Sequence, residues 1–231
     1  MVRLRRGAAP ALLQEHGAKW TERWQEMQAA NRTRDWATQG ARRVLLDELQ
    51  KLTFGKCAFC EGLLGVTAYA EVDHYLAKTV RPELTFDWTN LFPVCRWCNR
   101  AKGDINHAGM LIKPDVDDPE SMLWLHPDTG ELQPKTGLED AVRRRVERTL
   151  ELCELQRGPL CAKRIETMEF TIHWLERMQR LEGGIGAPLR KEWNHLIDPR
   201  TEYKFVIRHV FEIREQPRLA AKDRASFRME E

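Results

Sequence analysis

Four cysteines in two CxxC pairs, Cys57/Cys60 and Cys95/Cys98, frame a stretch that carries Asp73-His74 and Asn90, with Asn99 immediately after the last cysteine. Thiolates at this spacing suit a soft, tetrahedral cation, and two such pairs a few tens of residues apart read as a four-cysteine zinc site. Disulfides are the competing reading of the same pairs. The basic start Met1-Val2-Arg3-Leu4-Arg5-Arg6 leads into no continuous apolar core, so no secretory signal is expected. The expected compartment is the reducing cytoplasm, where thiolates persist and zinc competes well. Cys153 and Cys161 stand apart and are expected to be ordinary buried thiols.

The polar residues inside the cysteine frame point to a second chemistry. Hydrolysing a phosphodiester requires a deprotonated water, charge stabilisation at phosphorus and an electrophile for the departing oxygen. His74 is the natural base, because imidazole titrates near working pH. Asp73 and Asn99 offer hard oxygen ligands, which suit Mg²⁺ or Mn²⁺ rather than zinc and leave positions open for water and phosphate. Taken singly, each has a plainer explanation: a lone histidine is more often structural, and Asn90 could sit in a turn or cap a helix. Their order within the cysteine frame favours a joint role, with zinc for folding and Mg²⁺ or Mn²⁺ for reaction. Lys78, Arg96, Arg100 and Lys102 surround this centre in sequence and are expected at flanking phosphates. The denser run Arg143, Arg144, Arg145 and Arg148 is diluted by Glu147 and Glu151 and reads as a solvated helix face. Trp88 and Trp97 could stack on bases, but tryptophan beside cysteine ligands more often packs around the metal core. His107 and His126 are not needed as ligands.

The runs Cys57-Ala-Phe-Cys60, Glu71-Val-Asp-His-Tyr75, Trp88-Thr-Asn-Leu91 and Cys95-Arg-Trp-Cys-Asn-Arg-Ala-Lys-Gly-Asp104 together resemble the HNH (ββα-metal) endonuclease family in its zinc-binding form. The resemblance covers the segment from the first cysteine pair to Asp104. It implies His74 as general base, Asp73 as metal ligand, Asn90 as the residue fixing the turn that supports the base, and Asn99 as the further ligand where the family often has histidine. Flanking segments, namely Arg3, Arg5, Arg6 and Gly7, then Leu111-Ile-Lys-Pro114, Asp117-Asp118-Pro119 and Asp128-Thr-Gly-Glu131, resemble a narrower group. These are the PtuB-like HNH subunits of Septu-type and retron-associated anti-phage systems. That group implies an ATPase partner subunit and foreign nucleic acid, DNA first and RNA second, as target.

The elements that must position these residues are mostly helical. The chain of 231 residues is 42% hydrophobic and 31% charged, a globular profile, and its formal net charge of +2 excludes a protein that coats nucleic acid by bulk charge. There is no apolar run near the length of a membrane span, so no membrane association is expected. Apolar residues at helical intervals from Pro10 to Leu52 predict two helices with a break at Asn31-Arg32-Thr33-Arg34. Val66 to Tyr75 reads as strand, and a short helix should follow Cys95 to about Lys102, stopped by Gly103. Prolines punctuate Ile112 to Pro134, a loop-rich stretch with a hairpin around Trp124 and Leu132. Helix resumes from Leu138 to about Leu181, broken near Gly158-Pro159. Gly183-Gly184-Ile185-Gly186 reads as a turn, a last helix spans Tyr203 to Phe211, and the polar end from Gln216 is expected to fray.

The expected fold is therefore α+β and mainly helical. Residues 1–52 form an N-terminal helical segment, 53–107 a ββα-metal HNH core clamped by the zinc site, 108–137 a loop-rich connection, and 138–231 a C-terminal helical region. The competing function is a non-catalytic zinc-ribbon module binding nucleic acid or protein; a rubredoxin-like redox protein ranks third. Neither alternative has a use for Asp73-His74, Asn90 and Asn99 together. On the sequence alone, His74→Ala should abolish cleavage and spare the fold, whereas Cys57→Ser should lower stability.

Overall fold

A computed structural model of the chain describes residues 1–32, 35–66, 69–107, 109–179, 191–192, 194–196 and 198–215. The Gly183–Gly186 turn, part of the break at Asn31–Arg34, and the polar end from Gln216 lie outside them. Two helices lead. α1 (Ala11–Ala29) starts directly after Pro10 and buries Leu13 and Trp24. α2 (Gln39–Thr53) opens on Thr38, whose hydroxyl accepts from Ala41 N at 3.2 Å, and places Leu45 and Leu49 one turn apart in the core. It ends as Phe54 turns left-handed, with Gly55 following at φ +77°.

β1 (Ala70–His74) pairs antiparallel with β2 (Leu91–Cys95), Asp73 opposite Phe92 and His74 opposite Leu91. α3 (Arg96–Lys102) follows β2 without a loop and stops at Gly103, φ +61°. Alternation along the strands sends neighbouring side chains to opposite faces. Val72 and Leu91 join Leu13, Trp24, Leu45, Leu49, Phe86 and Trp88 in one cluster under the N-terminal helices. Phe92 and Val94 join a larger cluster with Leu111, Ile112, Leu123, Leu125, Val146, Leu150 and Phe205. The two-stranded sheet is thus a wall between two cores.

The rest of the larger core comes from the second half. α4 (Pro119–Met122) leads into the hairpin of β3 (Leu123–Leu125) and β4 (Leu132–Pro134), as the proline-punctuated stretch predicts. Its turn needs Gly130: at φ +69° a Cβ there would lie 2.3 Å from the carbonyl oxygen of Cys161. α5 (Asp140–Leu152), α6 (Gly158–Gln179) and α7 (Lys204–Glu215) complete the body. In the arginine run, Arg145 Nη1 meets Asp117 Oδ1 at 3.0 Å and Nη2 donates to Leu111 O, while Arg148 pairs with Glu151.

The basic start does something its sequence does not announce. Arg6 donates to Trp88 O at 2.6 Å and Leu91 O at 3.0 Å, pairs with Asp115 at 2.6 Å, and lies over the Phe92 ring. It straps the start of β2 to the Asp115 segment. Among the described residues no helix is long and apolar enough to cross a membrane.

Candidate functional site

Cys57, Cys60, Cys95 and Cys98 are all buried, and their sulfurs lie within 4.8 Å of one another. Cys60 Sγ and Cys95 Sγ are 3.8 Å apart, matching the edge of a tetrahedron with metal–sulfur bonds of about 2.3 Å. The backbone is shaped for this. Cys57 N donates to Gly62 O at 2.9 Å in the first pair, and in the second Cys95 Sγ accepts Cys98 N at 3.4 Å while capping α3. Contacts from Cys57, Cys60 and Cys98 hold the Cys95 thiol far below its ordinary range, whereas burial pushes Cys57 well above it. A divalent cation among the four removes that conflict by favouring every thiolate. The donor set therefore fits a metal such as zinc. Cys153 and Cys161 are free, buried thiols outside the cluster.

α3 runs from the thiols to a second buried polar group. Lys102 Nζ sits 3.0 Å from Asp73 Oδ1 and donates to His74 O at 2.9 Å; the two residues are 1% and 3% exposed. Asp73 Oδ2 is buried with no hydrogen-bond partner. Burial raises the Asp73 carboxyl to about 6 against the pull of the Lys102 ammonium. A hard divalent cation fits such an orphaned carboxylate oxygen. One helical turn earlier, Asn99 Nδ2 donates to Glu71 Oε2 at 2.7 Å. Glu71 and Asp73, two apart on β1, share a face, and α3 lays Asn99 and Lys102 across it. Sequence reasoning passed over Glu71; its spacing from Asp73 on a strand is the signal that could have found it.

His74, next on the strand, faces the other way. Its Nε2 lies 2.9 Å from Thr85 O, and Trp36 meets the imidazole edge-on with ring centroids 4.7 Å apart. A carbonyl only accepts, so Nε2 carries the proton and Nδ1 the lone pair. The side chain is 5% exposed. Burial, then the charge of Lys78, push the imidazole down to about 3. Asn90 fixes what surrounds it: Oδ1 accepts from Leu76 N at 2.8 Å, and Nδ2 donates to Leu76 O at 3.0 Å and Leu84 O at 3.1 Å. Asn90 O also accepts Tyr75 N at 2.8 Å. One buried amide thus pins both ends of the loop that presents the Thr85 carbonyl.

The four basic residues expected at phosphates separate. Arg96 and Arg100 are exposed on α3, and Lys78 is half-buried within electrostatic reach of Asp73 and His74. Lys102 departs from the expectation, since its ammonium is internal and committed to Asp73 and His74 O. Helical geometry explains this: Lys102 lies one turn beyond Cys98, so it points inward with the thiol. The tryptophans separate too. Trp88 is buried and donates to Gly7 O, whereas Trp97 is 57% exposed rather than wrapped around the thiols. His107 packs on Tyr75, and His126 Nδ1 accepts Asp128 N and Thr129 N in the hairpin turn; neither joins the thiol cluster.

No family model matches the chain. It is similar to two curated proteins named Septu protein PtuB. The one from Bacillus thuringiensis is 32% identical over 125 residues, covering 53% of this chain and 46% of the relative. The one from Bacillus mycoides (strain KBAB4) is 27% identical over 166 residues, covering 58% and 54%. The chain spans about half the length of the curated relatives it matches. Homologues of this name agree with the likeness read from the flanking segments; neither name states a reaction.

Proposed function

We propose that this chain is a metal-dependent HNH-type nuclease acting on nucleic acid, DNA first, in anti-phage defence, with β1, β2 and α3 as its ββα unit. The observation that carries the reading is Asp73, a buried carboxylate with one unpartnered oxygen, followed in sequence by His74, whose imidazole lies on the opposite face of β1 with its tautomer fixed by Thr85. A zinc-held fold has no need of either. Asp73 and Asn99 are the residues that would hold Mg²⁺ or Mn²⁺, and such an ion supplies Lewis acidity and charge stabilisation at the phosphate. His74 Nδ1 takes the proton of the attacking water while Nε2–H stays on Thr85 O, so the ring keeps its orientation as it becomes charged. Asn90 holds the loop that makes this possible. Lys102 balances Asp73 from within, and Lys78, Arg96 and Arg100 meet flanking phosphates. The thiols hold zinc and join the halves of the unit. The relatives' name supports a defence role and, with it, a partner subunit, an ATPase on the likeness to Septu-type systems.

The test is cleavage of supercoiled plasmid by the purified chain with Mg²⁺ or Mn²⁺ against EDTA, with His74→Ala beside it. Metal-dependent nicking that disappears in the variant supports the reading. A wild-type protein inert on DNA and RNA, with and without the candidate ATPase subunit, sinks it. Two observations favour a second reading, a zinc-ordered binding module without catalysis: the edge of Trp36 covers His74, and Asp73 is already paired with Lys102. In that case the chain binds nucleic acid or protein and cleaves nothing.

A further inference from the structure

The exposed face of α3 carries a feature that the hydrolytic site does not use. At 100° per residue, Asn99, Arg96, Arg100 and Trp97 follow one another around the helix, away from the buried Cys98–Lys102 side. Trp97 is exposed yet held: its Nε1 donates to Glu154 Oε2 at 2.8 Å, and the Arg157 guanidinium sits 5.7 Å from the ring centre. Arg157 itself reaches Cys98 Sγ at 3.8 Å, which ties the indole's support to the thiol cluster. Tyr69, 76% exposed, accepts Arg96 N on its carbonyl at 3.0 Å. Tyr69, Arg96, Trp97, Arg100, Ala101 and Glu154 line an open cleft of about 450 Å³. Among the described residues the Arg100 guanidinium makes no hydrogen bond or ion pair, and that of Arg96 only approaches Glu71 at 3.9 Å.

An exposed indole fixed by a hydrogen bond and a stacked cation offers a pre-ordered aromatic surface at low entropic cost. Beside it stand two arginines, and beyond them Asn99 on the proposed reaction face. Aromatic surface next to free positive charge, in line with a phosphate site, matches a polynucleotide strand whose bases are accessible. Paired bases in a duplex present no such face. We infer that Trp97 and Tyr69, with Arg96 and Arg100, form a stacking platform for an unpaired base flanking the scissile phosphate. The substrate is accordingly a nucleic acid with single-stranded character at the cut. This deepens the nuclease reading and rests on it for the position of the phosphate.

The experiment measures binding by fluorescence anisotropy with the full chain carrying His74→Ala, so that no cleavage intervenes. The probes are labelled oligodeoxythymidine and oligouridine of about 12 nucleotides, a length within the span of single-strand grooves, and the matching DNA duplex. A single-stranded probe should bind about tenfold more tightly than the duplex, and Trp97→Ala should remove about tenfold of that affinity. Trp97→Phe should restore most of it. Salt dependence separates the parts: Trp97→Ala leaves the slope of log affinity against log salt unchanged, whereas Arg100→Ala lowers it by about one. Zinc content and melting temperature of the variants control for folding. Unchanged affinity in Trp97→Ala, equal or tighter binding of the duplex, or no binding of any probe overturns the platform. A wild-type chain that binds the single strand through Trp97 but cleaves neither DNA nor RNA with Mg²⁺ or Mn²⁺, with and without the candidate ATPase subunit, sinks the nuclease reading instead. The two failures are therefore distinguishable.

Discussion

The thiol cluster and the Asp73–His74 region meet on α3, yet they close differently. The four sulfurs face one another, within 4.8 Å, and need only a cation to satisfy them all. Asp73 and His74 are held by unlike neighbours, an ammonium on one face of β1 and a carbonyl with an indole edge on the other, and Asp73 Oδ2 is left over. A closed donor set orders a fold; an incomplete one can take part in a reaction. The contrast also locates stability. Removing a thiol breaks the closed set, whereas changes at Asp73 or His74 should cost less in folding and more in function.

The sharpest way to break the comparison is to open the closed set. Cys57→Ser, or a strong zinc chelator, should remove on the order of 10 kcal/mol, as much as a typical domain's whole stability. Loss of cooperative melting together with loss of bound zinc is the expected result; a chelated protein that melts as before would show that the cluster is ordered without metal.

His74 comes next. Cleavage by His74→Ala should fall roughly 100- to 10,000-fold. The expectation from sequence that this variant spares the fold needs correction, because His74 is buried on Thr85 O and Trp36. Truncation leaves a cavity and an unpaired carbonyl, costing about 1–3 kcal/mol. Chemical denaturation with zinc retained measures it, and the same assay on Cys57→Ser keeps the two regions apart.

Asp73 and Lys102 form a buried pair, so removing either partner should destabilise by about 3–5 kcal/mol while Asp73→Asn with Lys102→Met costs less than the sum. A fully additive double variant would mean that the two charges are not coupled.

The smallest effect is on pH. The Asp73 carboxyl, raised to about 6 from 3.8, contributes stability that is full below the lower value and is lost as pH rises through the upper one. The neighbouring imidazole, lowered to about 3 from 6.5, does the opposite: its contribution is full above 6.5 and lost as pH falls towards 3. The two slopes oppose each other in the mildly acid range. Relative to Asp73→Asn, the wild type should therefore lose stability as pH rises from about 4 to about 6 without added Mg²⁺. A gap that stays constant over that range would place the carboxyl near its ordinary value.

What could be read from the sequence is local. The cysteine spacing, the helix stopped by Gly103 and the Asp128–Gly130 turn all rest on neighbours in the chain, and the structure carries each; the break expected near Gly158-Pro159 falls just before it, at Cys153–Arg157, because Gly158 already opens α6. The inward turn of Lys102 was also local, but a lysine beside Arg100 reads as surface until Cys98 is known to point inward. The contacts that define the candidate site are long-range. Arg6 on Leu91 O, Trp36 on His74 and Glu154 on Trp97 join residues with no patterned relation in sequence, so no periodicity could have paired them. Asn90 is the intermediate case: its importance is visible in the motif, its three side-chain hydrogen bonds only in the fold.

The pairing of β1 with β2 has a consequence beyond holding two cores apart. Side-chain direction in a strand has a period of two, so a slip of a single residue would exchange the faces. Asp73 would then enter the apolar space under Leu45 and Leu49, and His74 would meet the ammonium of Lys102. Register is accordingly what aims the carboxylate: with Asp73 opposite Phe92 it meets Lys102, and a strand out of step by one would hand that place to His74.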